Sequence, residues 1–281
     1  MFRPLALVAL LAVACGAPAP SPTPAPTPTP SPSTAPTPAP SPSPSAAALL
    51  LQVTNEGGFI APSARLGQLP SVVVDTDGKI YTQALDDSGT PKLIPGVEVR
   101  DVGADGADAI LQAIHDAGLD QNGGDVGVPG DSGVTIFTVE LNGEEYITRV
   151  AANGPGVPGH PGGDNPQIAL LNRLLDPAET WGAGDVPTAT YQPVAYRIYV
   201  APTDAAGGDT MDWPLSAAPD QFGSPATPDF GVTGLRSGIV LGADATAFAA
   251  AVADASSQET FTNSGHAYQV WVRPLLPDEL G

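Results

Sequence analysis

The residues best suited to chemistry lie in one glycine-bearing loop, Asp120-Gln121-Asn122-Gly123-Gly124-Asp125. Asp120, Asn122 and Asp125 offer carboxylate and amide oxygens on a flexible backbone, and Ca²⁺ prefers such ligands. The spacing departs from the EF-hand, because position six is not glycine and no glutamate closes the loop. The alternative is a solvated turn. We therefore expect either no cofactor or a Ca²⁺ ion held by these three residues.

Other groups with catalytic potential are scattered along the chain. The three histidines, His115, His160 and His266, are far apart in sequence. Ser264 lies close to His266, but both are expected near a hairpin tip, and neighbouring turn residues rarely make a catalytic pair. The chain has no HExxH, CxxC or GxSxG motif and no phosphate-binding glycine loop with its lysine. The sequence therefore predicts a protein that is not an enzyme.

The three tryptophans are candidates for a ligand-stacking platform. Trp213 precedes a proline in a long irregular stretch, so its ring is the candidate for exposure. A plug over the core is the commoner outcome for such a residue. Trp271 lies in a predicted strand and is expected to pack, and Trp181 completes the set.

Cys15 is the only cysteine of the chain and follows a short apolar run. Arg3 precedes this run over residues 5–13, which is shorter than the about 20 residues that span a membrane. The segment Ala12-Val13-Ala14-Cys15 resembles the lipobox of bacterial lipoproteins. This resemblance implies a signal peptide over residues 1–14, a lipid on Cys15, and a location on the extracytoplasmic face of the cell membrane. The alternative is a freely secreted protein with an incidental cysteine.

A proline-rich tether follows over residues 15–45. Nearly every second residue from 17 onward is proline, alternating with Ser, Thr or Ala. Proline fixes φ and lacks the backbone donor, so neither helix nor sheet is expected. The segment is predicted to be disordered in the sense of an extended polyproline-II spacer that lifts the rest of the chain off the membrane. Its composition also suits an O-glycosylated stalk.

The charge balance limits the partners. Lys and Arg total 10 against 30 Asp and Glu, which gives a net charge of -20. An acidic surface repels phosphate, so nucleic acid and anionic headgroups are excluded as expected partners. An envelope protein or a cationic ligand is favoured, although solubility alone also explains such a charge.

Apolar residues at helical spacing predict about three helices. Asp105 is expected to cap the first and Gly118 to end it. Asn165 and Pro166 are expected to begin the second, which Pro177 stops. The third covers about residues 244–255.

Hairpin signals lie between runs of strand-forming residues. Asp77-Gly78 and Asn142-Gly143 are dipeptides that favour tight turns with positive φ. In the second hairpin, Val139 is expected to lie opposite Tyr146. Helices and hairpins in separate stretches predict an α+β fold with mostly antiparallel sheets.

The two halves share short signals. Gly103-Ala104-Asp105 and Gly242-Ala243-Asp244 both open predicted helices, and Gly-x-x-Tyr recurs at Gly143 and Gly265. These pairs suggest two related strand–helix–hairpin units, with chance similarity as the alternative. The predicted domains are residues 46–180 and 181–281, unless 46–281 is one domain.

Residues 49–150 resemble emfourin-type metalloprotease inhibitors. The resemblance rests on Glu56-Gly57-Gly58-Phe59 and on the order of a hairpin, the helix over residues 109–117 and a second hairpin. It implies inhibition of a protease, while in style the domain resembles uncharacterised exported proteins. The expected function is a surface-exposed, lipid-anchored, non-catalytic binding or interaction module. The alternatives are an extracytoplasmic protease inhibitor and an enzyme of unrecognised type.

Overall fold

The computed structural model describes residues 48–57, 62–84, 91–121, 123–126, 133–151, 165–204, 209–226 and 231–280. Its described part is an α+β fold of two mostly antiparallel sheets and three α-helices, as the sequence predicts. The helices are α1 (Gly103–Asp116), α2 (Pro166–Leu175) and α3 (Gly242–Ala251).

Fourteen described strands form the two sheets. They are β1 (Leu49–Glu56), β2 (Val72–Asp75), β3 (Lys79–Gln83), β4 (Val97–Asp101), β5 (Asp125–Val126), β6 (Val134–Leu141), β7 (Glu144–Ala151), β8 (Thr188–Thr190), β9 (Ala195–Pro202), β10 (Thr210–Asp212), β11 (Ser224–Pro225), β12 (Arg236–Leu241), β13 (Thr260–Asn263) and β14 (His266–Pro274). The first sheet has the order β5-β7-β6-β1-β2-β3-β4-β8, and the second has the order β10-β13-β14-β9-β12-β11. Among the described strand pairs, only β5–β7 and β10–β13 are parallel.

Both predicted hairpins are confirmed. Gly78 joins β2 to β3 with φ +84°, and Asn142 and Gly143 join β6 to β7 with φ +55° and +79°. Val139 lies opposite Tyr146, as predicted. A Cβ on Gly78 would lie 2.2 Å from the carbonyl oxygen of Gly103, so only glycine fits this turn.

The start of α2 is confirmed in detail. Asn165 Oδ1 accepts from the backbone N–H groups of Gln167 at 3.0 Å and Ile168 at 3.1 Å. Pro166 occupies the first helical position, where no intrahelical donor is needed. The local chemistry of the cap therefore determines where this helix begins.

Gly118 follows the end of α1 with φ +69°, as predicted, whereas the start of α1 and the end of α3 differ from the prediction. Asp105 lies inside the first turn of α1 and does not cap it, and Val102 is the N-cap. The carboxylate of Asp101 accepts from the Gly103 N–H at 3.1 Å instead. Helix α3 ends at Ala251, four residues before the predicted Ala255, because the chain turns there to bury Ala255 in the second core.

The first core lies between the first sheet and helices α1 and α2. Leu51 and Val53 of β1 pack there with Phe137 of β6, and Ile110 and Leu174 come from the helices. Each of these five side chains is fully buried. The core therefore covers one face of the first sheet.

Arg100 of β4 fastens the end of α2 to this sheet. Arg100 is only 4% exposed. Its Nη1 donates to the carbonyls of Asp176 at 2.7 Å and Glu179 at 3.0 Å, and its Nη2 donates to the carbonyl of Leu174. The last carbonyls of a helix have no intrahelical partner, and a cation is favourable beside them. Burial lowers the pKa of Arg100, which is the cost of this arrangement.

The second core lies between the second sheet and α3. Ile198 and Val200 of β9 and Val270 of β14 face Phe248 of the helix. Leu93, which precedes β4 of the first sheet, also packs in this core. Contacts group the described residues, from 48 to 280, in one compact unit. Strand β8 follows residue 180 and still pairs with β4 of the first sheet.

The two halves match locally but differ in strand order. Helices α1 and α3 both start at a glycine with positive φ, Gly103 at +63° and Gly242 at +56°. In the turn between β13 and β14, Ser264 and Gly265 have positive φ, as Asn142 and Gly143 have in the β6–β7 turn. The hairpin β6–β7 joins β1 through its first strand, whereas β13–β14 joins β9 through its second. The two sheets therefore share short signals without sharing one topology.

Candidate functional site

An open cleft of about 540 Å³ lies where the first sheet meets the second. We call it the polar cleft. Three stretches line it: Gln52, Thr54, Asn55 and Glu56; then Arg65, Leu66, Gln68, Leu69 and Pro70; then Tyr199, Arg273 and Glu279. Most of these side chains are polar, so the cleft is suited to a hydrogen-bonding ligand.

Strand β1 forms the first wall through the alternation of its side chains. Leu51 and Val53 point into the first core, so Gln52 and Thr54 project from the opposite face. Asn55 is held at the end of this wall. It donates from Nδ2 to Ser71 Oγ at 2.7 Å, and its Oδ1 accepts from the Thr135 hydroxyl at 3.0 Å.

The segment between β1 and β2 forms the second wall. A 3₁₀ turn over Pro62–Arg65 leads to Leu66, which is 1% exposed and packs with Tyr199 and Trp271 of the second sheet. The end of the segment is tied to β1, because the Ser71 N–H donates to the Val53 carbonyl at 2.8 Å. Burial of Leu66 thus places its exposed neighbour Arg65 at the cleft.

The second sheet supplies the third wall from the face opposite α3. Arg273 of β14 lies directly opposite Arg197 of β9, and like charges in such positions destabilise a sheet. Glu279 relieves this pair by binding Arg273 with both carboxylate oxygens, one of them at 2.8 Å from Nη1. The same carboxylate accepts from the Leu276 N–H at 3.2 Å, which fixes the C-terminal 3₁₀ turn. The Nε of Arg197 is buried without a hydrogen-bond partner among the described residues.

The side chains of Gln52, Thr54 and Arg65 have no hydrogen-bond or ion-pair partner in the described part of the chain. Glu56 lines the same cleft, yet it makes no ion pair with Arg65. These polar groups are therefore available to a ligand.

Beside this region, Asp278 is a carboxyl group whose pKa is strongly raised. Its pKa is raised from 3.8 to about 6, chiefly by burial and then by the neighbouring Glu279 carboxylate, while Arg273 acts in the opposite direction. Its Oδ1 is buried without a hydrogen-bond partner in the described residues. Burial also raises the pKa of Tyr191 to about 12, with Asp278 adding to the effect. The hydroxyl of Tyr191 donates to the Leu275 carbonyl at 3.1 Å.

A second cleft of about 380 Å³ lies on the other side of Gly67 and Gln68. Trp271 and Lys92 contribute to its lining. Trp271 is half-buried and lies opposite Tyr199 in the strand register. Of the three tryptophans, it is therefore the one that reaches an accessible surface.

Trp213 is only 7% exposed and packs between Phe222 and Phe261. Its Nε1 donates to the Ala217 carbonyl at 2.7 Å, so the plug over the core is the correct alternative. Trp181 is also buried, with the guanidinium of Arg173 4.1 Å from its ring centroid. The three tryptophans do not form one platform.

The predicted calcium loop is described only in part. Asp120 Oδ2 lies 2.7 Å from His115 Nδ1, and this contact raises the pKa of the histidine. Asn122 and the side chain of Asp125 lie outside the described residues. Within the described residues, no three His, Cys, Asp or Glu side chains are grouped for a metal ion. Calcium binding stays a prediction.

Ser264 and His266 flank Gly265 at the β13–β14 turn and are both exposed. His160 lies outside the described residues, as do Cys15 and the whole predicted tether. In the described ranges we find no helix with the length and hydropathy needed to cross a membrane.

Comparison with models of protein families, with curated proteins and with solved structures gave no match for this chain. Gly58 and Phe59 of the inhibitor-like signature lie outside the described residues, whereas the order of hairpin, helix and hairpin is present. The inhibitor function stays a hypothesis.

The sequence reasoning missed every residue of the polar cleft. A signal for Gln52 and Thr54 is present in the sequence, because they alternate with the buried Leu51 and Val53 of β1. No comparable signal marks Arg65, since its position depends on Leu66 reaching the second sheet.

Proposed function

We propose that this protein is a lipid-anchored, non-catalytic binding module of the bacterial cell surface, with the polar cleft as its ligand site. One observation carries the proposal. The side chains of Gln52, Thr54 and Arg65 line an open cleft of about 540 Å³ without partners among the described residues. Ligand pockets in proteins have volumes of about 300–1,000 Å³ and present a few such polar groups.

The packing of the walls supports this proposal. Leu66 is buried between the sheets, Asn55 is fixed by two hydrogen bonds, and Arg273 is held by Glu279. Side chains that are already fixed lose little conformational entropy when a ligand binds. A preorganised wall next to three available polar groups is the arrangement expected of a binding site.

The anchor and the tether complete the proposal. Lipidation of Cys15 would hold the chain at the membrane, and residues 15–45 would carry the folded part outward. The short apolar run before Cys15 and its lipobox-like ending support this location. Ligands in the envelope are then the available class of partner.

The test uses the purified full chain in detergent and a ¹³C-labelled, low-molecular-mass extract of the bacterial envelope. Equilibrium dialysis followed by mass spectrometry measures which components the protein retains. We expect wild type to retain at least one component and the double variant Thr54→Val, Arg65→Gln to lose it. The matched control is Thr188→Val, Arg149→Gln, which makes the same changes at exposed residues of β8 and β7.

Each competing hypothesis has its own expected outcome, the enzyme in this experiment and the protease inhibitor in a separate assay with a metalloprotease. An enzyme converts the retained component, so a product signal appears in the dialysate. A protease inhibitor inhibits a metalloprotease equally well with and without the two cleft substitutions. Equal retention by the double variant and the control would contradict the assignment of the polar cleft.

A further inference from the structure

The polar cleft keeps one guanidinium available for an anion. Arg273 is occupied by both carboxylate oxygens of Glu279, whereas the side chain of Arg65 has no partner in the described residues. A guanidinium binds a carboxylate through two parallel N–H···O bonds, so Arg65 suits a ligand with one such group.

The wall formed by β1 indicates the rest of the ligand. Gln52 carries an amide and Thr54 a hydroxyl, and both have donor and acceptor capacity left. Asn55 keeps one N–H and one lone pair beyond its two observed hydrogen bonds. Groups that donate and accept match the hydroxyl groups of a sugar, which also do both.

The remaining lining includes apolar surface. The ring of Tyr199 is half-buried at the cleft, whereas Leu66, Leu69 and Pro70, which also line it, are buried. The C–H face of a pyranose ring can lie against such surface while its hydroxyl groups turn to β1. A phosphate offers no such face, and its charge exceeds the single guanidinium that is available.

From these three features we infer that the polar cleft binds a sugar carrying one carboxylate, with Arg65 as the carboxylate anchor. The inference rests on the proposed function and adds the class of ligand. It also departs from the cationic ligand that the net charge of -20 favours. The long-range repulsion is screened beyond about 8 Å at physiological ionic strength, so the contacts inside the cleft decide.

The test compares three probes on the ¹⁵N-labelled full chain in detergent at pH 7 and constant ionic strength. D-glucuronate has the carboxylate and the hydroxyl groups, D-glucose has only the hydroxyl groups, and acetate has only the carboxylate. We expect glucuronate to shift the amide resonances of Gln52, Thr54 and Arg65 and to bind about tenfold tighter than glucose. Acetate is expected to bind more weakly than either sugar.

Two variants separate the role of Arg65 from a general charge effect. Arg65→Gln should reduce the affinity for glucuronate to that for glucose and leave glucose binding unchanged. Arg149→Gln makes the same charge change at an exposed position of β7 and should leave both affinities unchanged.

The outcomes distinguish the inference from the proposed function. If glucose and glucuronate bind equally and Arg65→Gln changes neither, the carboxylate assignment is wrong, while resonance shifts in the cleft still support the binding module. If no sugar shifts any cleft resonance, the sugar class is wrong and the envelope extract alone tests the proposed function. If the extract and all probes shift only residues outside the cleft, both proposals are wrong.

Discussion

Replacing Arg100 by methionine should destabilise the protein by about 3 kcal/mol, because a hydrogen bond to a charged group contributes about 1.5–3 kcal/mol. Arg100 donates to three carbonyls around the end of α2. The summed free energy of the lost hydrogen bonds is therefore larger than the net decrease in the free energy of unfolding. The buried guanidinium has already lost hydration, as its lowered pKa indicates, and methionine removes that cost. Methionine also fills much of the volume that the arginine stem occupied.

The assay is urea unfolding of the full chain at pH 7, followed by circular dichroism. A loss of about 3 kcal/mol is a large share of the about 5–15 kcal/mol by which native proteins are stable. Arg149→Met is the matched control, because Arg149 is exposed and makes no described side-chain bond, and its effect should stay within about 0.5 kcal/mol. A loss below about 1 kcal/mol for Arg100→Met, with an unchanged urea dependence, would refute the role assigned to Arg100.

Cys15→Ala should move the protein from the membrane fraction to the medium without changing its unfolding curve, and a correctly cleaved variant that stays membrane-bound would contradict the lipid anchor. Asp278→Asn should stabilise the protein at pH 7.5 by about 1 kcal/mol more than at pH 4.5. The reason is that the wild-type carboxyl group has a raised folded-state pKa, so it destabilises the folded state as the pH rises from its ordinary pKa of 3.8 to its folded-state pKa of about 6. A gain independent of pH would refute this coupling. By ¹H NMR, the pKa of His115 should lie above 6.5 in wild type and closer to 6.5 in Asp120→Asn. The contact between the two side chains stabilises the fold at pH values below the unfolded-state pKa of the histidine, and this stabilisation is lost as the pH rises through the folded-state pKa. The same pKa in both proteins would mean that the contact does not form in solution. Calorimetry at millimolar Ca²⁺ tests the loop at Asp120. The absence of both binding heat and a change in melting temperature would disprove the predicted calcium site.

Much of the local structure could be predicted because its causes lie within a few residues. The Asn142-Gly143 turn needs two residues that tolerate positive φ, and the Asn165 cap needs one side-chain acceptor before the helix. The early end of α3 could not be predicted, since burying Ala255 in the second core outweighs helical continuation.

The polar cleft could not be predicted because it depends on contacts between distant parts of the chain. Gln52 and Thr54 have the pattern of a solvated strand face, and only the second sheet turns that face into a wall. Arg65 lies in a short segment without periodicity. The position of this segment depends on the packing of Leu66 in a cluster with Tyr199, which is more than 130 residues later in the chain. Trp271 likewise reaches a cleft because the opposite face of β14 fills the second core.

Hydrogen exchange of the full chain in detergent, with and without the envelope extract, tests the polar cleft most directly as the ligand site. We expect slower exchange in peptides that cover residues 62–71, because a ligand bound to Arg65 restrains this segment, and unchanged exchange in α3 as an internal control. Slower exchange elsewhere in the chain, with none over residues 62–71, would contradict the claim that the polar cleft is the binding site.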